Sequence, residues 1–134
     1  MEVRIALDTN RITDLFRGDE ELAEQLGLCD EVWIPLIVLG EVKAGFQGGT
    51  QQRRNEILLR RLLAKSTVDV LLPDRETAEH YGRLFVQLKR AGTPIPDNDL
   101  WIGALVLQHN LVLATRDSHF DRIPQLMTAR TPGT

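Results

Sequence analysis

The chain has 134 residues, 43% hydrophobic and 26% charged, the balance of an ordinary soluble globular protein able to bury a core as one domain over 1–134. Sixteen basic against 19 acidic side chains leave a formal charge of −3, so no global positive field marks a nucleic-acid binder, and a phosphate substrate would need a local basic rim or a metal ion. Cys29 is the only cysteine, which excludes an intrachain disulfide and a thiolate zinc cage. It fits a reducing cytoplasm, as does the lack of a signal-like N-terminus or of an apolar run long enough to span a bilayer.

Val3 to Leu7 reads as a short buried strand ending in the polar, cap-forming Asp8-Thr9-Asn10. A helix carrying Ile12, Leu15 and Phe16 follows and closes at Gly18, and Asp19 to Leu28 predicts a second. Glu31 to Ile34 is the next strand, with Pro35 placed to open a helix at its first position. Within that helix Val38, Glu41, Val42 and Gly45 share one face. Glu41 there either leans out to pair with Lys43 or an arginine, or is held inside by protonation, a partner or a metal.

Gly48-Gly49-Thr50 predicts a turn and cap before an amphipathic helix, Gln51 to Lys65, with Ile57, Leu58, Leu62 and Leu63 inward. Its basic face (Arg53, Arg54, Arg60, Arg61, Lys65) reads first as a solvated surface and second as a face for RNA or an acidic partner. Thr67 to Leu72 is a third strand. Asp74 caps a helix running to Ala91, with Ala78, Tyr81, Phe85 and Leu88 inward.

Pro96-Asp97-Asn98-Asp99 then opens a segment that is apolar from Leu100 to Leu107. Asp97 is placed as the N-cap and Asp99 in the first turn, where free N–H groups and the helix dipole favour negative charge. Capping explains Asp97. It explains Asp99, set against apolar residues, less well. Leu111 to Ala114 is a fourth strand ending in Thr115-Arg116-Asp117, and Ser118 to Ile123 is a helical turn. The tail, Leu126 to Thr134, supplies either a short edge strand or no regular element.

Strands alternating with helices predict an α/β fold, a three-layer α/β/α domain on a four- to five-stranded parallel sheet. Ligands of such sheets bind beyond the carboxyl ends of the strands. Asp8 and Asp117 directly follow strands, so both emerge at that edge, and Glu41, Asp97 and Asp99 lie near helix starts that can converge there. Clustered carboxylates repel unless a cation neutralises them, and an all-oxygen set suits Mg²⁺ or Mn²⁺. A cation so held serves phosphoryl transfer. Thr9, Asn10, Thr115 and Ser118 flank the acids and can hold water or metal behind them. Arg116 contacts either a phosphate or a neighbouring acid, and His119 is the histidine nearest the site.

Leu7-Asp8-Thr9-Asn10, Gly40-Glu41, Asn98 to Ala104 and Thr115 to Phe120 together resemble the four acidic motifs of PIN-domain ribonucleases, above all the VapC-type toxins of bacterial toxin–antitoxin pairs. The resemblance runs from Val3 to about Leu126. It implies metal-dependent endonucleolytic cleavage of RNA, a homodimer, and a small antitoxin that blocks the site. By motif, Asp8, Glu41, Asp99 and Asp117 take the acidic quartet, with Asp97 as an additional metal ligand. RNA contact falls to Arg11, Arg116 and other rim cations: Arg17, Lys43, Arg53 and Arg54. Gly103 departs from the alanine usual in the family, and no clear final strand is visible.

Three other readings compete. A haloacid-dehalogenase-type phosphatase needs a second acid where Asn10 stands, and a receiver domain needs a phosphoacceptor and a late lysine that are not found. A PIN-like module without catalysis, binding RNA or protein only, is opposed by the presence of all four acids.

Overall fold

The computed structural model describes residues 2–130. Its centre is a five-stranded, all-parallel sheet in the order β3-β2-β1-β4-β5. Strand β1 (Arg4–Leu7) is central, and Ile5, Ala6 and Leu7 are buried on both faces, as expected of a parallel strand covered by helices. Helices α1 (Thr9–Phe16) and α2 (Glu20–Gly27) carry the chain to β2 (Glu31–Pro35). Helices α3 (Leu36–Gly48) and α4 (Gln52–Leu63) carry it to β3 (Val68–Leu71). Helices α5 (Arg75–Arg90) and α6 (Asp97–Gln108) bring it back across the sheet to β4 (Val112–Ala114). A 3-10 turn, Ser118–Arg122, leads to β5 (Thr128–Ala129).

The chain moves from β1 to one side of the sheet, then returns to the other. Right-handed crossovers therefore place α5 and α6 on the face opposite α1 to α4. Between β1 and β4 the direction of winding reverses, and neighbouring loops diverge there to leave a crevice at the carboxyl edge. The Asp8 amide, donating to the Ala114 carbonyl at 3.0 Å, ties the ends of these two strands together.

The expected tail does supply a fifth strand. It is only two residues long, held by Leu113 and Thr115 amides that donate to the Met127 and Ala129 carbonyls. Residues 131–134 of that tail lie outside the described residues.

Two helix faces differ from expectation. In α5 the buried residues are Thr77, Leu84 and Leu88, whereas Ala78 and Phe85 are exposed. Thr77 can turn inward because its hydroxyl is bonded to both Asp74 and Gln108, so the buried face starts one position earlier and meets the expected one only at Leu88. In α4 the buried pair is Leu59 and Leu62, and Ile57 is exposed. Adjacent leucines at 58–59 and 62–63 fit either phase, and packing against β3 and α3 selects one.

Two prolines also act differently. Pro35 ends β2 and takes the N-cap position of α3, and Pro96 takes that of α6, so Asp97 is the first helical residue rather than the cap. Helix α6 is buried nearly all round, with Ile102, Ala104 and Leu105 fully enclosed. Gly103 fits this packing: a Cβ there would lie 3.0 Å from the Ile123 side chain.

Candidate active site

Each acid is delivered to the sheet edge by its own element. Asp8 leaves β1 and caps α1, its carboxylate accepting the Thr9 amide at 2.8 Å. Glu41 stands in the second turn of α3, and Asp99 in the first turn of α6. Asp117 follows β4 and caps the 3-10 turn, accepting the His119 amide at 2.9 Å. The chain therefore reaches the same crevice from four segments far apart in sequence.

Asp8 is only 5% exposed. Its carboxylate accepts the Thr115 hydroxyl at 2.6 Å and the Asn10 side-chain amide at 3.3 Å. Thr115 in turn accepts the Asp117 amide at 3.0 Å, and Asn10 accepts the Arg116 amide at 3.2 Å. Thr9 donates its hydroxyl to Glu41 at 3.2 Å. Three of the four flanking residues named from sequence thus hold the acids in place. Ser118 does not join them; it is exposed at the start of the turn.

Burial raises the proton affinity of Asp8, and the charge of Asp117 adds to it against the bonds from Thr115 and Thr9. Glu41 is likewise raised, first by burial and then by the charges of Asp8 and Asp99. Asp99 is raised by burial and by Asp117 and Asp8, opposed by its contact with His119. The carboxylates repel one another at low dielectric, and among the described residues no lysine or arginine forms an ion pair with any of the four.

Three of the cations expected nearby are paired with other acids. Arg11 is 7% exposed and pairs with Asp14 at 2.7 Å, so it is a buried structural cation rather than a rim contact. Arg116 grips the same Asp14 through two nitrogens, at 2.8 and 3.0 Å, taking the acid-pairing alternative. Lys43 pairs with Glu56 at 2.8 Å, not with Glu41. Asp97, expected as an additional ligand, is exposed and accepts the Tyr81 hydroxyl, apart from the cluster. Tyr81 itself stacks on Trp101, with ring centroids 4.2 Å apart, which keeps Asp97 on that outer side.

Three residues at the site escaped sequence reading or were left without a role. Asp14 anchors the Asp117 loop through Arg116, a pairing across 102 positions that no local pattern reveals. Asn98 lowers the proton affinity of Glu41 slightly from its place beside it, and its position one residue before Asp99 was the available signal. His119 lies against both Asp99 and Asp117, two residues after the latter.

Beside the acids lies a groove of about 400 Å³ whose lining includes Thr9, Glu41, Phe16, Phe46, Arg17 and Arg54. Arg54 is held by the Phe16 carbonyl at 2.8 Å, and neither Arg54 nor Arg17 has a carboxylate partner among the described residues.

The fold and the site together define a class: a parallel α/β domain with a carboxylate centre at the winding reversal of its sheet. Residues 5–126 match the PIN domain, and the chain belongs to that family. It is 35% identical over 126 residues to Ribonuclease VapC1 of Haemophilus influenzae, covering 90% of this chain and 92% of that one. The VapBC-1 structure from nontypeable Haemophilus influenzae superposes with a TM-score of 0.82 at 30% identity, covering 95% of this chain and 97% of that one. The Rickettsia felis VapBC2 structure, bound to a DNA fragment from its promoter, superposes at 0.86 with 25% identity, covering 95% and 98%.

Proposed function

We propose that the protein is an RNA-cleaving endonuclease of the VapC type, the toxin of a bacterial toxin–antitoxin pair, acting as one domain over residues 1–134. The observation that supports it most is the uncompensated cluster of Asp8, Glu41, Asp99 and Asp117. Three of these acids have raised proton affinity, and the arginines nearest the cluster are committed to Asp14. Such an all-oxygen set fits a hard divalent cation, Mg²⁺ or Mn²⁺. A bound ion supplies charge for the phosphate oxygens and acidifies a water at neutral pH.

The chain's own residues do the rest. Thr115, Thr9 and Asn10 fix Asp8 by hydrogen bonds, so the cluster needs little rearrangement to receive a ligand. Hydrolysis joins a water oxygen to phosphorus and releases a ribose oxygen. Glu41, half-buried and without a cationic partner, is placed to take the proton that the water loses. Arg17 and Arg54 hold the neighbouring phosphates of the strand along the groove. A small antitoxin, a homodimeric state and a cytoplasmic setting complete the reading. The similarity to VapBC structures supports the antitoxin, and Cys29 as the lone cysteine fits the cytoplasm. Among the described residues no helix is long and apolar enough to cross a membrane.

Incubating the purified protein with a mixed RNA pool tests this, with Mg²⁺, Mn²⁺ or EDTA and with Asp99→Asn alongside. Discrete cuts that need metal and vanish in the variant are expected. Cuts that persist in EDTA and in the variant expose a contaminating nuclease. No cuts from folded, antitoxin-free protein turn the reading towards a binding module.

A further inference from the structure

The acidic quartet leaves His119 without a role. Its Nδ1 lies 3.1 Å from Asp99 Oδ2 and 3.2 Å from Asp117 Oδ1. One ligating atom from each of the three residues lies within 4.8 Å of the others. Donors on adjacent corners of an octahedron, each about 2.1 Å from the ion, stand about 3.0 Å apart. Nδ1 therefore keeps ligand spacing from two carboxylates at once. At these distances Nδ1 either shares one proton between the two acids or, with the proton on Nε2, stands where a metal ligand stands, and the spectroscopy below separates the two.

The backbone fixes the ring there. Asp117 caps the turn through the His119 amide, and Phe120, 1% exposed, pins the next residue into the core. The turn's other polar side chains, Ser118 and Asp121, are exposed, and His80 and His109 lie on α5 and just after α6, outside the cluster.

We propose that His119 ligates the same ion through Nδ1, so that the centre is a mixed nitrogen–oxygen site that favours Mn²⁺ over Mg²⁺. An imidazole is a poor ligand for Mg²⁺, which holds oxygen and water, and a good one for the later divalent metals. The proposal rests on the metal-centred reading above, and the experiment separates the two.

The probe is Mn²⁺ itself, added to the full chain without RNA. Electron spin-echo spectroscopy of the bound ion detects a directly bonded imidazole nitrogen, and titration gives affinities for Mn²⁺ and Mg²⁺. The expected result is a nitrogen modulation from one imidazole, lost in His119→Ala and His119→Asn, with Mn²⁺ affinity falling at least about tenfold and Mg²⁺ affinity changing less. Circular dichroism confirms that both variants fold. Bound Mn²⁺ without nitrogen modulation overturns the proposal and leaves the carboxylate centre standing, even if affinity drops in the variants, because His119 then only positions the acids. Modulation that survives in both variants overturns it too. No Mn²⁺ binding at all removes the metal-centred reading and this proposal with it.

Discussion

Replacing Asp8 with asparagine is expected to abolish RNA cleavage and yet stabilise the metal-free protein at pH 8. The buried carboxylate accepts bonds from the Thr115 hydroxyl, the Thr9 amide and the Asn10 side chain, at 2.6, 2.8 and 3.3 Å. Even so, burial lifts its proton affinity above the ordinary range. The folded chain therefore holds the neutral form better than the charged one. Asparagine keeps the shape and the oxygen that accepts the Thr9 amide; its NH2 replaces the oxygen that Thr115 and Asn10 both address, so the Thr115 hydroxyl turns to accept and the Asn10 bond is lost, a cost of about 1 kcal/mol. It also removes a desolvation penalty of roughly 2 kcal/mol or more. The net gain is on the order of 1 kcal/mol, about 3–5 °C in Tm for a domain of this size.

The sign with pH follows from linkage. A carboxyl with a raised folded pKa binds more protons folded than unfolded, so stability falls as pH climbs from about 3.9, the unfolded value, through the folded one. Thermal melts of both proteins in EDTA, at pH 4 and pH 8, read this directly. The variant should gain on the wild type only at pH 8. A variant less stable at pH 8, or shifted equally at both, refutes the view that an ionised, buried Asp8 strains the fold.

Two further outcomes follow from the same geometry. Adding Mg²⁺ or Mn²⁺ should raise the wild-type Tm, by about 2.7 kcal/mol of stability at a hundredfold excess over Kd, and should raise that of Asp99→Asn much less; equal shifts would mean binding elsewhere. Asp14→Ala strips Arg116 of its bidentate partner and leaves buried Arg11 with only Asp19 at 3.9 Å, so urea denaturation should show a loss of about 3 kcal/mol; an unchanged midpoint refutes the network's importance.

The sequence was legible where burial is complete and pattern is local. The apolar runs of β1 and β4 end in polar residues, and the sheet edge that those ends define brings Asp8 and Asp117 together. Helix faces were legible in period but not always in phase. Thr77 counts as polar until Gln108, 31 positions away, satisfies its hydroxyl. The two-residue β5 is too short to carry a pattern and exists because β4 offers it hydrogen bonds. Least legible were the cations. Arg116 and Lys43 are taken by acids that only tertiary structure brings near, and Arg11 by Asp14 one turn along its own helix, a local pair the sequence reading passed over.

The scatter of the four acids along the chain has a consequence for how such a protein can be switched off. Asp8 and Asp117 bracket nearly the whole domain, and β2, β3 and β4 lie between them. No fragment shorter than that span holds the full cluster. A single cut that lets either end drift disarms the molecule without touching a site residue. Heat inactivation should then track global unfolding rather than the fraying of one loop. For an RNA-cleaving toxin, this all-or-none assembly lets ordinary proteolysis act as a disposal route.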